Sequence, residues 1–345
     1  MTRIAIIDPQ FDGTPDIELD EAGADTEFTI LRPGYDPVSP ADLDGADAVV
    51  NCRSRHYIPA DLVAGMTTVK VVVQAGVGFN HIDLDACAAR GIPVCNTPDY
   101  GTMEVADHAI GLMLALSRGI PTYAERLWTR DDAWGTHALP LPPVRRLSIR
   151  TFGVIGMGRI GTAAALRAKA FGMTVAFYDP FLPAGTELSF GFTRAATLED
   201  LLAQADIVSV HCPLTPQTAQ IIDDDAIAAM KPGAVLINTS RGGTVDLDAI
   251  ERGLRSGKLN AAALDVLPRE PLDRSHPLIA AWGAREGWLD GRLIITPHAA
   301  FYSPEGLADM RRLSTRAVMG YLTEGRLRSC VNLRELERHG HRFDA

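Results

Sequence analysis

The chain has 345 residues, 46% hydrophobic and 22% charged, the balance of a globular protein long enough for two cores. Its net charge of -10 repels phosphate backbones and anionic lipid, so bulk nucleic-acid and membrane-surface binding are not expected. The longest uncharged apolar stretch, "AIGLMLALS", is far short of the ~20 residues a membrane helix needs, and "RIAIID" begins too early for a signal peptide.

Short β-branched runs open the chain at Ile4–Asp8, Phe28–Leu31, Ala48–Asn51 and Val71–Gln74. The apolar residues of Glu104–Ile120 are then spaced for a long helix, which Gly119 and Pro121 are expected to stop. The Pro-rich stretch "WTRDDAWGTHALPLPPVRR" reads as an irregular surface crossover. A second series of runs starts at Thr151: "FGVIG", "TVAFYD", "IVSVHC", "AVLINT", "AAALDV" and "LIITPH", with a short helix expected inside His276–Arg292. These runs are apolar on both faces, as buried parallel strands are. Their alternation with helix-like segments predicts βαβ units and an α/β fold of two doubly wound parallel-sheet domains.

The five cysteines (Cys52, Cys87, Cys95, Cys212 and Cys330) are scattered, with no C-x-x-C pair. That argues against a zinc ribbon or a disulfide framework and points to a reducing, cytoplasmic setting. No His, Cys or Asp cluster has metal-ligand spacing, so no metal is expected.

"GMGRIG", Gly156 to Gly161 through Met157, Gly158, Arg159 and Ile160, follows a predicted strand and opens a predicted helix. In such a G-x-G-x-x-G turn the first glycine allows the sharp turn and the second the approach of a pyrophosphate. The third lets helix and strand pack closely, and the helix N-terminus faces the phosphates. Asp179 ends the next strand about twenty positions on, where an acid can bond both ribose hydroxyls and repel a 2′-phosphate. The motif therefore predicts NAD rather than NADP.

Three further residues each follow a predicted strand of the same sheet. Arg241, after Thr239 and Ser240, would hold a carboxylate at two points. Glu270 sits in a proline-bounded loop beyond Asp265, and His298 follows the last strand. A glutamate beside an imidazole favours its charged form and keeps a general acid loaded. A surface salt bridge, a solvated acid and a packed histidine are the ordinary fates of these residues taken singly. Their shared position beside a dinucleotide fingerprint favours chemistry.

The ordered set "GMGRIG", "YDP", "HCPLT", "INTSRGG", "AALDV", "REP" and "TPHAA" resembles the D-isomer-specific 2-hydroxyacid dehydrogenase family over nearly the whole chain. "RAKAFGMTVAFYDPFLP" and "TPHAAFYSPE" further resemble its C-terminal-binding-protein-like branch. The resemblance implies a flavodoxin-like substrate domain from residues 1–101 plus 300–345, an inserted NAD-binding Rossmann domain at 102–299, and an active site in the cleft. It implies that Arg241 orients substrate and that Glu270 supports His298 as acid/base. Glu270 also disfavours formate oxidation, because the formate branch carries glutamine there.

By the same resemblance the backbone of Val77 and Gly78 would cradle the substrate carboxylate, as a nest of main-chain donors can. Arg53 and Ser54 resemble a substrate-side loop of phosphoglycerate dehydrogenases, though a solvated loop reads equally well. Phe301 stands where the branch carries an active-site tryptophan, and Gln74 where it carries arginine. His211, Cys212, Pro213 and Thr218 resemble positions facing the cofactor, although His211 also has a structural reading. Asp265 would bond the nicotinamide amide. His56, His81, His108, His137, His276, His339 and His341 lack motif support and read as structural or solvated.

The implied function is hydride transfer between NAD(H) and a small 2-keto or 2-hydroxy acid, by a homodimer that binds neither nucleic acid nor membrane. The alternative is a co-repressor-like protein that senses NAD with little turnover. A third is a family member that oxidises an unusual donor such as an inorganic oxyanion.

Overall fold

The computed structural model describes residues 1–343; the last two positions of the expected substrate-domain stretch lie outside the described residues. The chain forms two compact units, one of Met1–Gly101 with Tyr302–Ala345 and the other of Thr102–Phe301. Among the described residues no helix is long and apolar enough to cross a membrane.

The first unit carries a parallel sheet of five strands: β1 (Thr2–Ile7), β2 (Thr26–Leu31), β3 (Ala48–Asn51), β4 (Val71–Gln74) and β5 (Val94–Asn96). Their order is β2-β1-β3-β4-β5, the flavodoxin-like pattern. β3 and β4 are buried at every residue, which is why they read as unbroken apolar runs rather than alternating ones. β5 escaped the sequence reading because three residues between Pro93 and Pro98 carry no periodicity; pairing with β4 defines it. The C-terminal part returns as the helix Pro304–Glu324, capped by Ser303, whose hydroxyl accepts the Gly306 N–H. Arg311 on that helix reaches Glu18, 2.9 Å away, and packs its guanidinium 4.0 Å from the Phe11 ring centre.

The second unit has seven strands: β6 (Thr151–Ile155), β7 (Thr174–Tyr178), β8 (Thr193–Arg194), β9 (Ile207–Val210), β10 (Ala234–Asn238), β11 (Leu259–Leu264) and β12 (Leu293–Ile295). All pair in parallel, in the order β12-β11-β10-β9-β6-β7-β8. Leu236 joins one hydrophobic core while its neighbours Val235 and Ile237 join another, so helices cover both faces. The order reverses between β6 and β9. That switch point, at the carboxyl ends of the strands, is where doubly wound sheets open a crevice for ligands.

Two elements differ from expectation. The helix Thr102–Arg118 does stop at Gly119, which takes φ 65°, but a second helix, Ile120–Thr129, starts at once. Pro121 does not end a helix here. It sits in a first turn, where its missing N–H has no intrahelical role to lose. The two-residue β8 is likewise defined only by pairing with β7. The helix expected inside His276–Arg292 is present as Pro277–Gly283.

Candidate active site

At the switch point β6 ends and the chain turns through Gly156, Met157 and Gly158 into the helix Arg159–Ala170. Gly156 takes φ 88°, and a Cβ on Gly161 would stand 2.1 Å from the Gly156 carbonyl, so helix and turn touch backbone to backbone. Around Gly158 there is open space. Met157 is buried, Arg159 is exposed and Ile160 is half-buried in the first turn of the helix. The Asp179 carboxylate, just past β7, accepts the N–H of Met157 and of Phe181, each at 2.9 Å. The acid is thus tied to the glycine turn through the Met157 N–H.

Across the switch point His211, Cys212 and Pro213 follow β9. The His211 Nε2 lies 2.8 Å from Ser209 Oγ, and its covered Nδ1 has no partner. Burial pushes the imidazole down to about 4, and the Cys212 thiol up to about 11. Thr218 turns its hydroxyl inward, accepting the Thr215 N–H at 2.8 Å, so it shapes the Pro213–Thr218 loop. After β10, Ser240 donates to Asn238 Oδ1 at 2.8 Å, while the covered Thr239 hydroxyl is unpartnered. Open space at the glycine turn, an acid beyond β7 and two orphaned polar atoms, His211 Nδ1 and Thr239 Oγ1, fit a dinucleotide along this edge.

Arg241, Glu270 and His298 follow β10, β11 and β12, which are neighbours in the sheet. A Cβ on Gly242 would lie 1.8 Å from the Leu267 carbonyl carbon, so the Arg241 loop presses directly on the segment leading to Glu270. Glu270 Oε2 lies 2.7 Å from His298 Nδ1, and its other oxygen accepts the Leu267 N–H at 3.0 Å. Burial raises the Glu270 carboxyl, but the hydrogen bond and charge of His298, the Leu267 N–H and Arg241 outweigh it. The carboxyl is held below its ordinary 4.5. A carboxylate on Nδ1 makes that nitrogen the N–H donor, which leaves Nε2 to hold or release a proton.

The loop that carries His298 is braced from below. Asp265, 2% exposed, accepts the N–H groups of Ala299 and Ala300, each at 2.9 Å, and the Thr296 hydroxyl at 2.6 Å. Its carbonyl accepts the His298 N–H at 2.8 Å. His298 itself takes φ 54°, a left-handed conformation that few non-glycine residues adopt. The Phe301 ring stands edge-on to the imidazole, with centres 6.2 Å apart.

Sequence reasoning missed His108 and Thr296. His108, on the helix Thr102–Arg118, places Nε2 3.2 Å from Thr296 Oγ1 and 3.6 Å from Asp265. Because Thr296 spends its only hydrogen on Asp265, His108 must donate, and the chain runs His108 to Thr296 to Asp265. Nothing in the spacing pointed to it. His276 likewise comes together with Asp248 and Glu251, their ligand atoms within 4.8 Å. His276 lies 3.2 Å from Asp248, and Glu251 pairs with Arg255 at 2.8 Å.

The remaining predicted residues belong to the first unit. The turn after β4 is clamped from β5: Asn96 donates to the Val77 carbonyl at 2.7 Å, and Gly76 donates to Thr97 Oγ1 at 2.6 Å. Gly78 follows in the same turn, half-buried. Gln74 is buried and bonds His81 at 2.7 Å. After β3, Arg53 and Ser54 are half-buried, and the covered Arg53 Nε has no partner.

A family model of the D-isomer specific 2-hydroxyacid dehydrogenase NAD binding domain matches residues 110–300. A D-3-phosphoglycerate dehydrogenase of Mycobacterium tuberculosis is 38% identical over 262 residues, covering 75% of this chain and 46% of the relative. The chain thus spans about half the length of the curated relatives it matches. Among solved structures, the TT0316 protein of Thermus thermophilus superposes with a TM-score of 0.78 at 32% identity, over 94% of this chain and 98% of that one. A D-lactate dehydrogenase of Aquifex aeolicus, complexed with NAD and lactic acid, gives 0.78 at 27%, over 97% and 98%. An NADPH-dependent glyoxylate/hydroxypyruvate reductase of Sinorhizobium meliloti, with NADP and malonate, gives 0.80 at 29%, over 97% of each chain.

Proposed function

The chain belongs to the D-isomer specific 2-hydroxyacid dehydrogenase family, and on that premise we propose that it interconverts a small 2-keto acid and its D-2-hydroxy acid with NAD. The observation that carries this reading is the His298–Glu270 pair at 2.7 Å, on the same sheet edge as the glycine turn. Bound NAD would supply the two-electron redox chemistry that side chains lack. His298 Nε2 gives a proton to the carbonyl oxygen during reduction and takes it back during oxidation. Glu270 fixes the tautomer and balances the imidazolium, and Arg241 orients the substrate carboxylate.

Asp179 favours NAD over NADP, since its carboxylate is held against the turn and repels a 2′-phosphate. Gly156 to Gly161, with Thr239, Ser240, His211, Cys212, Pro213 and Thr218, line the cofactor edge, and Asp265 serves chiefly as the brace of the His298 loop. The first unit acts as the substrate domain: the clamped Val77–Gly78 turn offers N–H donors, and the unpartnered Arg53 Nε, with Ser54, suits an anionic group. Phe301 bounds the side-group space and admits an apolar or medium-sized group. The named enzymes among the relatives support turnover over an NAD-sensing role. The helix Ile120–Thr129, which buries none of its own residues and leaves Trp128 91% exposed, is the surface that supports a homodimer. The free thiols suit a reducing cytoplasm.

An NADH-oxidation screen across 2-keto acids tests the reading. The His298→Ala protein should lose at least about a thousand-fold in turnover while binding NADH as the parent does. Retained turnover would sink the acid/base role.

A further inference from the structure

We propose that Cys95 and Cys330 form an oxidisable dithiol, a modification site that reacts with a low-molecular-weight disulfide and closes to an intramolecular disulfide. The two residues lie far apart in sequence, yet they face each other across an antiparallel bridge between β5 and the segment after the helix Pro304–Glu324. The Val331 N–H donates to the Val94 carbonyl at 2.8 Å, and the Asn96 N–H to the Ser329 carbonyl at 3.2 Å. These bonds flank Cys95 and Cys330 and make them a non-hydrogen-bonded pair. In such a pair the Cα atoms stand about 4.5 Å apart with both side chains on one face. A disulfide needs Cα atoms roughly 4.4–6.8 Å apart, so the bond forms with little backbone movement.

The register is pinned. The Asn332 side chain accepts the Val94 N–H at 2.8 Å and donates to the Ile92 carbonyl at 3.1 Å, tying both sides of the bridge together. The two sulfurs are unequal. Cys95 is fully buried, while Cys330 is half-buried and so within reach of a small reagent. The Cys330 thiol donates toward Asn332 Oδ1 at 3.3 Å, and its hydrogen bond with Cys95 holds it below its ordinary range, opposed by burial. The same bond, with burial, raises Cys95. Cys330, the more exposed of the two, is the attacking thiolate, and the covered Cys95 is the resolving group.

The chemistry balances with one oxidant. The Cys330 thiolate attacks one sulfur of glutathione disulfide and one glutathione leaves as thiolate. The Cys95 thiol then attacks the Cys330 sulfur of the mixed disulfide, its proton passing to the departing glutathione thiolate, and the second glutathione leaves as thiol. Two protein thiols become one disulfide, and one glutathione disulfide becomes two glutathiones. The new bond joins the two stretches of chain that compose the first unit, Met1–Gly101 and Tyr302–Ala345. It also fixes the strand from which Asn96 clamps the Val77 turn.

The test incubates the full chain with glutathione disulfide, counts thiols after denaturation and maps the peptides without reduction. We expect five free thiols to fall to three, a Cys95–Cys330 cross-linked peptide, a raised Tm, and reversal by dithiothreitol. Cys330→Ser should keep its remaining thiols, and Cys95→Ser should stop at one bound glutathione on Cys330. The wild-type peptide map needs no variant to fold. No thiol loss, a mixed disulfide that never resolves, or a cross-link between other cysteines would each overturn the proposal.

Discussion

His108 is linked to the loop of the proposed acid/base without touching its imidazole. Its Nε2 lies 3.2 Å from the Thr296 hydroxyl, and Asp265 carries that bond on to the backbone flanking His298. His108→Leu removes the donor and leaves the Thr296–Asp265 pair less constrained. We expect kcat to fall about ten-fold with NADH affinity unchanged, and His108→Gln, which can still donate, to recover much of it. Steady-state kinetics of both variants, with NADH titration, make the check; equal loss in the two would reduce His108 to packing. His211 bears on pH. Its ring is covered and its pKa falls from 6.5 to about 4, so the folded state prefers the neutral form. That stability is fully present above pH 6.5 and is lost as pH drops through about 4, by at most about 3 kcal/mol. Denaturant melts of the cofactor-free protein should therefore weaken across this window, and His211→Gln should flatten the slope.

At the scale of elements the site depends on loops pressed together at strand ends. Gly242 is the tightest such contact, with a would-be Cβ 1.8 Å from the Leu267 backbone. Gly242→Ala must part the Arg241 loop from the Glu270 segment. The expected cost is about 1–3 kcal/mol or more of stability, with a larger loss in kcat/KM than the Tm shift alone implies. Melting curves and kinetics on the same preparation decide it. The long strands and the glycine turn were legible in sequence because periodicity and spacing are local properties. β5 and β8 were not, because three and two residues carry no period and exist as strands only through their neighbours. The helix Ile120–Thr129 was misjudged for a different reason: Gly119 and Pro121 can close one helix or start the next, and only the chain's path chooses.

For the whole molecule, the exposed aromatic residues around Ile120–Thr129 are the prediction to test. Trp128 and Trp134 are 91% and 84% exposed. On the proposed dimer, light scattering should give twice the chain mass for the parent, and Trp128→Glu should shift it toward monomer by placing a charge in the proposed contact.

The sequence by itself determined the α/β class, the two series of strands, the nucleotide turn with its acid, and the order Arg241, Glu270, His298. Each rests on residue type and short-range spacing, which the chain states directly. The tertiary structure alone decided that His108 stands behind His298 through Thr296 and Asp265, and that scattered Cys95 and Cys330 face each other. It also decided that Asp265 spends its carboxylate on the loop above it. These pairings join residues tens to hundreds of positions apart, and no local pattern encodes them. They arise when parallel strands, each buried on both faces, stack in an order different from their order in the chain.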